Sequence, residues 1–170
     1  ILASPKLERI VEDLVKLGYG RGEMTKNQPP RQRVVDFNQG LDATHINKTN
    51  MTLLSKLNIK PMRIAFDRIN EKRQYIKALR LAHQAGVPEI SNYMLYNFRD
   101  TPEDLYLRLI TNIELNEEWI EEAGGGIPGK IYCYPMRFAP IRDDNGSHAN
   151  RSRDFFPELS ATETDWLNAP

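Results

Sequence analysis

The sequence has little cysteine, no net charge and no long hydrophobic run. Cys133 is the only cysteine among its 170 residues, which excludes a disulfide framework and a cysteine-rich metal site built by this chain alone. No apolar run approaches the roughly 20 residues that span a bilayer. Lys and Arg together number 23, as do Asp and Glu, so the usual electrostatic argument for a nucleic-acid or anionic-membrane partner is missing. We therefore expect a cytoplasmic protein without a membrane partner, and nucleic-acid binding is not indicated.

What the sequence does contain is an alternation of helical and strand patterns. Hydrophobic residues make up 40% and charged residues 27% of the chain, which is ordinary for a folded domain. Predicted helices cover residues 5–17, 49–57, 70–86 and 101 to beyond 119, and predicted strands cover 33–38, 61–66, 89–98 and 130–139. Strands joined through helices are parallel, with right-handed crossovers. The sequence therefore predicts an α/β fold.

The predicted strands alternate polar and apolar residues, unlike parallel strands that helices cover on both faces. One face would pack on helices, and the other would collect polar side chains, at Asp36, Asn38, Arg63, Asp67, Asn97 and Arg137. Such groups are costly to bury unless they are paired or face a wet cavity. The pattern favours a parallel-stranded partial (β/α) barrel fragment of about four strands, with helices on the outer face. We expect it over residues 1–142, followed by a C-terminal polar tail over 143–170.

Two interpretations of those polar side chains are open. The two arginines could neutralise Asp36 and Asp67 as structural ion pairs. Ligands of parallel α/β folds, however, bind at the carboxyl ends of the strands. For Asn38, Gln39 and Asp67, which lie at predicted strand ends, ligand contact is the favoured interpretation.

Four segments, taken in order, resemble the radical S-adenosylmethionine enzymes. They read VDFNQGLDA at 35–43, PMRIAFD at 61–67, NYMLYNF at 92–98 with DTPED at 100–104, and YPMRFAP at 134–140. The similarity spans roughly residues 1–142. It implies a partial (β/α)6 barrel in which a 4Fe–4S cluster reductively cleaves S-adenosylmethionine. The resulting 5′-deoxyadenosyl radical abstracts hydrogen from a substrate.

The cluster-binding part of that family is missing from this sequence. No CxxxCxxC is present, and Ile1 to Pro5 resembles the segment after the second strand in relatives. The resemblance therefore assigns the chain to the third to sixth strands, a fragment that we expect to be inactive alone. The cluster is not expected on this chain alone, and no residue is assigned a catalytic or metal-binding role. A missing N-terminal segment or a partner chain would complete the barrel; the substrate is unknown.

The resemblance also implies which residues contact S-adenosylmethionine. They lie near strand ends, at Asn38, Gln39, Asp67, Leu95, Asn97, Arg137, Phe138 and Ala139. The first three would meet the methionine carboxylate and the ribose. Leu95 and Asn97, from the fifth family strand and its turn, would pack on the adenine. Arg137, Phe138 and Ala139 would support the adenine side. Relatives often have an arginine where this chain has Thr44, so a cation for the carboxylate is lost there.

Two other functions fit the same residues. A non-catalytic module could bind an adenosine-like ligand or dock with a partner chain that supplies the missing strands. A different barrel enzyme could use Asp36, Asp67 and Arg137 as acid–base groups. The three histidines show no metal-ligand spacing.

Overall fold

The protein forms a four-stranded parallel sheet, seen in a computed structural model that describes residues 1–98, 100–125 and 130–138. The strands lie in chain order: β1 (Leu41–Asp42), β2 (Met62–Ala65), β3 (Glu89–Tyr96) and β4 (Lys130–Arg137). The α/β class and the parallel sheet are confirmed. Within the described ranges the sheet is open rather than closed into a barrel. The predicted tail over 143–170 lies outside the described residues.

Four α-helices accompany the sheet in the described part of the chain: α1 (Leu7–Leu14), α2 (Lys48–Leu54), α3 (Lys72–Gln84) and α4 (Pro102–Glu122). A π-helical turn, Val15–Tyr19, extends α1, and short 3-10 turns cover Ala43–His45 and Ile69–Glu71. The start of α4 is as predicted. The Thr101 side chain accepts the Asp104 N–H, the Asp104 side chain accepts the Thr101 N–H, and Pro102 opens the helix.

The first predicted strand is wrong in position. Residues 33–38 contribute only one parallel bridge, from Val35 to Ile59. A turn then closes with the Gly40 N–H donating to the Phe37 carbonyl at 2.7 Å, and Gly40 adopts φ +78°, which favours glycine. The turn redirects the chain, so that Leu41, not Val35, enters the ladder beside Ile64.

Two predicted helix starts are also displaced. Ser4 does not cap a helix at residue 5; its hydroxyl accepts the Lys6 N–H at 3.2 Å, and α1 begins at Leu7. Asn70 lies within a 3-10 turn, and α3 begins after Glu71 without a side-chain cap. In both places a local turn provides hydrogen-bond acceptors for backbone N–H groups ahead of the helix. The helix therefore begins two residues later than the predicted range.

Helices α3 and α4 cover one face of the sheet. The alternation predicted for β2 is confirmed, because Met62, Ile64 and Phe66 are buried. Their core neighbours come from β3 and from the two helices, and include Ile90, Met94, Tyr75, Leu79, Leu115 and Trp119. The opposite face of β4 exposes Tyr132, Tyr134 and Met136. The helix cover is thus one-sided in the described part of the chain.

The register corrects the predicted place of Arg137. Paired residues in parallel strands lie side by side, and successive side chains point to opposite faces. Arg63 pairs with Ser91, whereas Arg137 pairs with Tyr96, five positions further along β3. Arg137 therefore belongs to the face opposite Arg63. The predicted position of Arg137 near the end of its strand is confirmed, but its predicted place on the same face as Arg63 is wrong.

Candidate functional site

Side chains replace backbone pairing where β2 and β3 end. The two strands pair at Met62–Ile90 and Arg63–Ser91. Four residues beyond Ser91, the Leu95 N–H donates to the Asp67 carboxylate at 3.1 Å. Strand-end backbone groups that a regular ladder would pair are thus held by side chains. We call this carboxyl end of the sheet, from Phe66 and Asp67 across to Leu95 and Phe98, the carboxyl edge.

Arg108 of α4 is the centre of the carboxyl edge. Its side chain is fully buried (0% exposed), and its Nη1 donates to the carbonyls of Phe66 at 3.0 Å and Leu95 at 2.9 Å. Nη2 binds the Asp100 carboxylate at 2.6 Å. Burial lowers the pKa of Arg108, while the negative charges of Asp100, Asp67 and Asp104 oppose that shift. One guanidinium therefore joins the ends of two strands to the turn that follows β3.

The Arg108–Asp100 ion pair also shapes the turn after β3. Asn97 is buried and adopts φ 63°, a left-handed conformation that Asn tolerates better than most residues. Asp100 accepts the Phe98 N–H at 3.1 Å. The Phe98 ring meets that of Phe138 at 4.5 Å, and the Phe138 N–H donates to the Tyr96 carbonyl at 2.8 Å. An apolar aromatic pair thus lies at the Phe98 end of the carboxyl edge.

The open face of the sheet carries a chain of polar and aromatic contacts. Asp36 and Arg63 form a bidentate ion pair, with Nε to Oδ1 at 2.9 Å and Nη2 to Oδ2 at 3.1 Å. The guanidinium lies over the Tyr93 ring at 5.1 Å, and the Tyr93 and Tyr134 rings are 5.8 Å apart. The Asp36 hydrogen bond raises the pKa of Arg63. Of the two interpretations that the sequence left open for Asp36, the structure therefore shows the ion pair with Arg63.

Two predicted contacts lie away from the strand ends. Asn38 and Gln39 are exposed in the turn that precedes β1. The carboxyl end of β1 is occupied by Asp42, whose carboxylate accepts the Thr44 N–H at 2.8 Å and hydroxyl at 2.7 Å and meets His45 Nδ1 at 3.0 Å. The Thr44 hydroxyl lowers the pKa of Asp42. The shift of the strand from 33–38 to Leu41–Asp42 explains the difference.

The structure brings together only part of the predicted set. Asp67, Leu95 and Asn97 lie at the carboxyl edge, and Phe138 joins them through its contact with Phe98. Arg137 lies on the other face by register. Ala139 lies outside the described residues.

A buried polar chain lies under the sheet on the helix side. The Tyr75 hydroxyl accepts from the Asn92 amide and donates to Asn112 Oδ1 at 2.8 Å, and Asn112 Nδ2 lies 2.8 Å from Cys133 Sγ. Burial raises the pKa of the Cys133 thiol. Cys133 is therefore held as a neutral packing residue and not as an activated nucleophile.

Sequence reasoning missed Arg108 and its pairing with Asp100. A signal was present, because Arg108 falls on the same helical face as Leu105, Leu115 and Trp119. An arginine at a core position must find acceptors inside the protein. The identity of those acceptors, two strand-end carbonyls and Asp100, depends on the packing of α4 on the sheet.

The described residues show no metal site, and comparisons with known proteins give no relative, that would indicate the function of the carboxyl edge. Across the described ranges no group of three or more His, Cys, Asp or Glu side chains could hold a metal ion. No helix in that part of the chain is long and apolar enough to cross a membrane. Comparisons of the chain with protein-family models, curated proteins and solved structures find no match.

Proposed function

We propose that this chain is the portion of a radical S-adenosylmethionine enzyme barrel that contacts the adenosine side of the cofactor. The substrate is not specified. The chain would be inactive alone, because its single cysteine cannot supply the three thiolates of a cluster loop. When bound in the complete enzyme, the cluster would supply the electron that cleaves S-adenosylmethionine. This chain would bind and orient the nucleoside.

The carboxyl edge carries this proposal. A parallel α/β sheet binds ligands outside the carboxyl ends of its strands. Here Asp67 is exposed at the end of β2 and accepts the Leu95 N–H, and Asn97 follows at the end of β3. A carboxylate accepts hydrogen bonds from ribose hydroxyls. Leu95 and the Phe98–Phe138 pair offer apolar and aromatic surface to a purine ring.

The one-sided helix cover supports the partial-barrel part of the proposal. A sheet whose polar and aromatic face is open, while the other face packs on α3 and α4, has the layout of one arc of a barrel. β1 lies at one edge of the sheet, and β2 is its only strand partner among the described residues. An edge strand presents unpaired backbone N–H and C=O groups that can pair with another strand. A missing N-terminal segment or a partner chain would add its strands there.

Ligand titration tests the proposed contact. We expect S-adenosylmethionine and adenosine to shift the amide resonances of Leu95 and Asn97 in the isolated chain, and Asp67→Asn to weaken binding by about five- to tenfold, because a neutral amide is a poorer acceptor for hydroxyls. Asp13→Asn is the matched control, since Asp13 is an exposed aspartate of α1. Unperturbed resonances at saturating ligand, or equal affinities of the two variants, would contradict the proposal.

Cluster reconstitution tests the fragment part separately. Anaerobic treatment with iron and sulfide is expected to leave the chain without a stoichiometric cluster and without reductive cleavage of S-adenosylmethionine. Stoichiometric cluster uptake with cleavage would refute the proposal that the chain is only a fragment.

A second candidate, a partner-docking module without catalysis, is favoured by one observation. Tyr132, Tyr134 and Met136 expose 42–50% of their surface on the open face of β4. Light scattering at several concentrations distinguishes a monomer from a self-associating chain. The acid–base alternative gains no support, because Asp36 is bound to Arg63 and Arg137 belongs to the opposite face.

A further inference from the structure

We infer that Arg108 is the positioning residue of the carboxyl edge: it holds the ends of β2 and β3 and the turn after β3 in the arrangement that receives the nucleoside. This inference rests on the proposed function for the identity of the ligand. Arg108 does not itself face the open side of the sheet, because its side chain is fully buried. It acts through the backbone that it holds.

The hydrogen bonds of Arg108 account for this role. A buried carbonyl needs a donor, and where the ladder of β2 and β3 is not continued the donor must come from elsewhere. One nitrogen, Nη1, serves the carbonyls of both strands, Phe66 and Leu95. A planar guanidinium can do this while Nη2 binds the Asp100 carboxylate and Nε donates to the Asp104 carbonyl, whereas an ammonium is a single point donor.

Asp100 extends the hold of Arg108 to the turn. Its Oδ2 binds Arg108, and its Oδ1 accepts the Phe98 N–H at 3.1 Å. Between these contacts and β3 lies Asn97 in its left-handed conformation. Strained backbone of this kind persists where surrounding contacts over-determine it. The Arg108–Asp100 pair supplies such contacts on one side of Asn97, and the Leu95 carbonyl bond supplies them on the other.

The charges around Arg108 make the guanidinium hard to replace. Asp100 is in direct contact, and Asp67 and Asp104 are close enough to act on its charge. Removing the cation would leave a partly buried carboxylate at Asp100 without its partner and unpaired carbonyls at Phe66 and Leu95. We expect the edge to open locally, because buried unpaired groups draw in water.

Arg108→Ala with chemical rescue tests the inference. In this variant we expect the amides of Leu95 and Phe98 to exchange with solvent at least about tenfold faster, while the ladder amide of Ser91 keeps its protection. S-adenosylmethionine binding should weaken by about tenfold, the lower end of the roughly 10- to 100-fold cost of removing the outer-shell partners of metal ligands, which are likewise residues that act by holding others in place. Millimolar guanidinium, far below denaturing levels, should restore both properties, because it refills the vacated site.

Controls separate positioning from general stability. Sodium chloride at the same ionic strength should restore nothing, and Arg80→Ala, which removes an arginine paired with Glu118 on the outer helices, should leave the exchange at Leu95 unchanged. If Arg108→Ala does not fold, amide exchange is measured in Arg108→Lys and Asp100→Asn instead. In both variants the amides of Phe98 and Leu95 should exchange with solvent faster than in the wild type.

Three outcomes would overturn the inference: unchanged exchange at Leu95 and Phe98, uniform loss of protection across the sheet, or failure of guanidinium to restore the folded Ala variant. Failure of the proposed function looks different. A wild-type chain that binds neither S-adenosylmethionine nor adenosine refutes that function, and exchange at Leu95 and Phe98 still decides whether Arg108 holds the edge.

Discussion

Tyr75→Phe removes one hydroxyl from the middle of the buried polar chain. Tyr75 is 0% exposed and stacks on Phe66 with ring centroids 4.1 Å apart, and phenylalanine keeps this packing. The lost hydroxyl accepts from Asn92 and donates to Asn112. Each buried group left unpaired costs about 1–3 kcal/mol. Because Asn92 of β3 and Asn112 of α4 are both buried and can relax only partly, we expect a loss of about 2–3 kcal/mol in the free energy of unfolding.

Urea unfolding at neutral pH, followed by circular dichroism, measures this loss. Tyr106→Phe is the matched control, because Tyr106 is 44% exposed on α4 and surface changes usually stay within about 0.5 kcal/mol. Equal midpoints for the two variants would show that the hydroxyl chain contributes nothing and would refute the reasoning.

The same variant tests the alkaline limit of stability. Burial raises the pKa of Tyr75 above its usual 10.0, and burial also raises that of Cys133 above its usual 9.0. The unfolded chain therefore ionises first, so this part of the stability is full below about pH 9 and falls as the pH rises toward the raised pKa values. Above pH 10 the wild type should lose stability more steeply than Tyr75→Phe. Parallel pH profiles would contradict this account.

Two smaller predictions concern Cys133 and the start of α4. Because its thiol is half-buried and its pKa is raised, Cys133 should react with iodoacetamide at pH 8 far more slowly in the folded protein than in urea; equal rates would contradict its burial. Thr101→Ala removes the capping box of α4 and should cost about 1 kcal/mol in urea unfolding. Thr49→Ala, at an exposed position in α2, is the control, and an equal effect of both changes would exclude capping as the cause.

Part of the carboxyl edge could be predicted from strand periodicity. Asp67 directly follows an apolar alternation that ends at Phe66, so its place at a strand end can be predicted from local pattern alone. The same reasoning placed Asn38 and Gln39 at a strand end and was wrong, because the turn at Gly40 moves the strand to Leu41–Asp42. A left-handed glycine just after an apparent strand changes which residues reach the carboxyl edge, and periodicity does not detect it.

The sequence by itself determined the α/β class, the parallel strands and the start of α4, because helix caps, periodicity and strand–helix alternation are local properties. It also determined the buried face of β2, since Met62, Ile64 and Phe66 repeat every second residue. Only the tertiary structure decided the face of Arg137, which depends on its register with Tyr96. It also decided that Arg108 donates to the strand-end carbonyls of Phe66 and Leu95, which lie 42 and 13 residues away along the chain. Contacts between distant segments are set by how α4 packs on the sheet, and no local pattern records them.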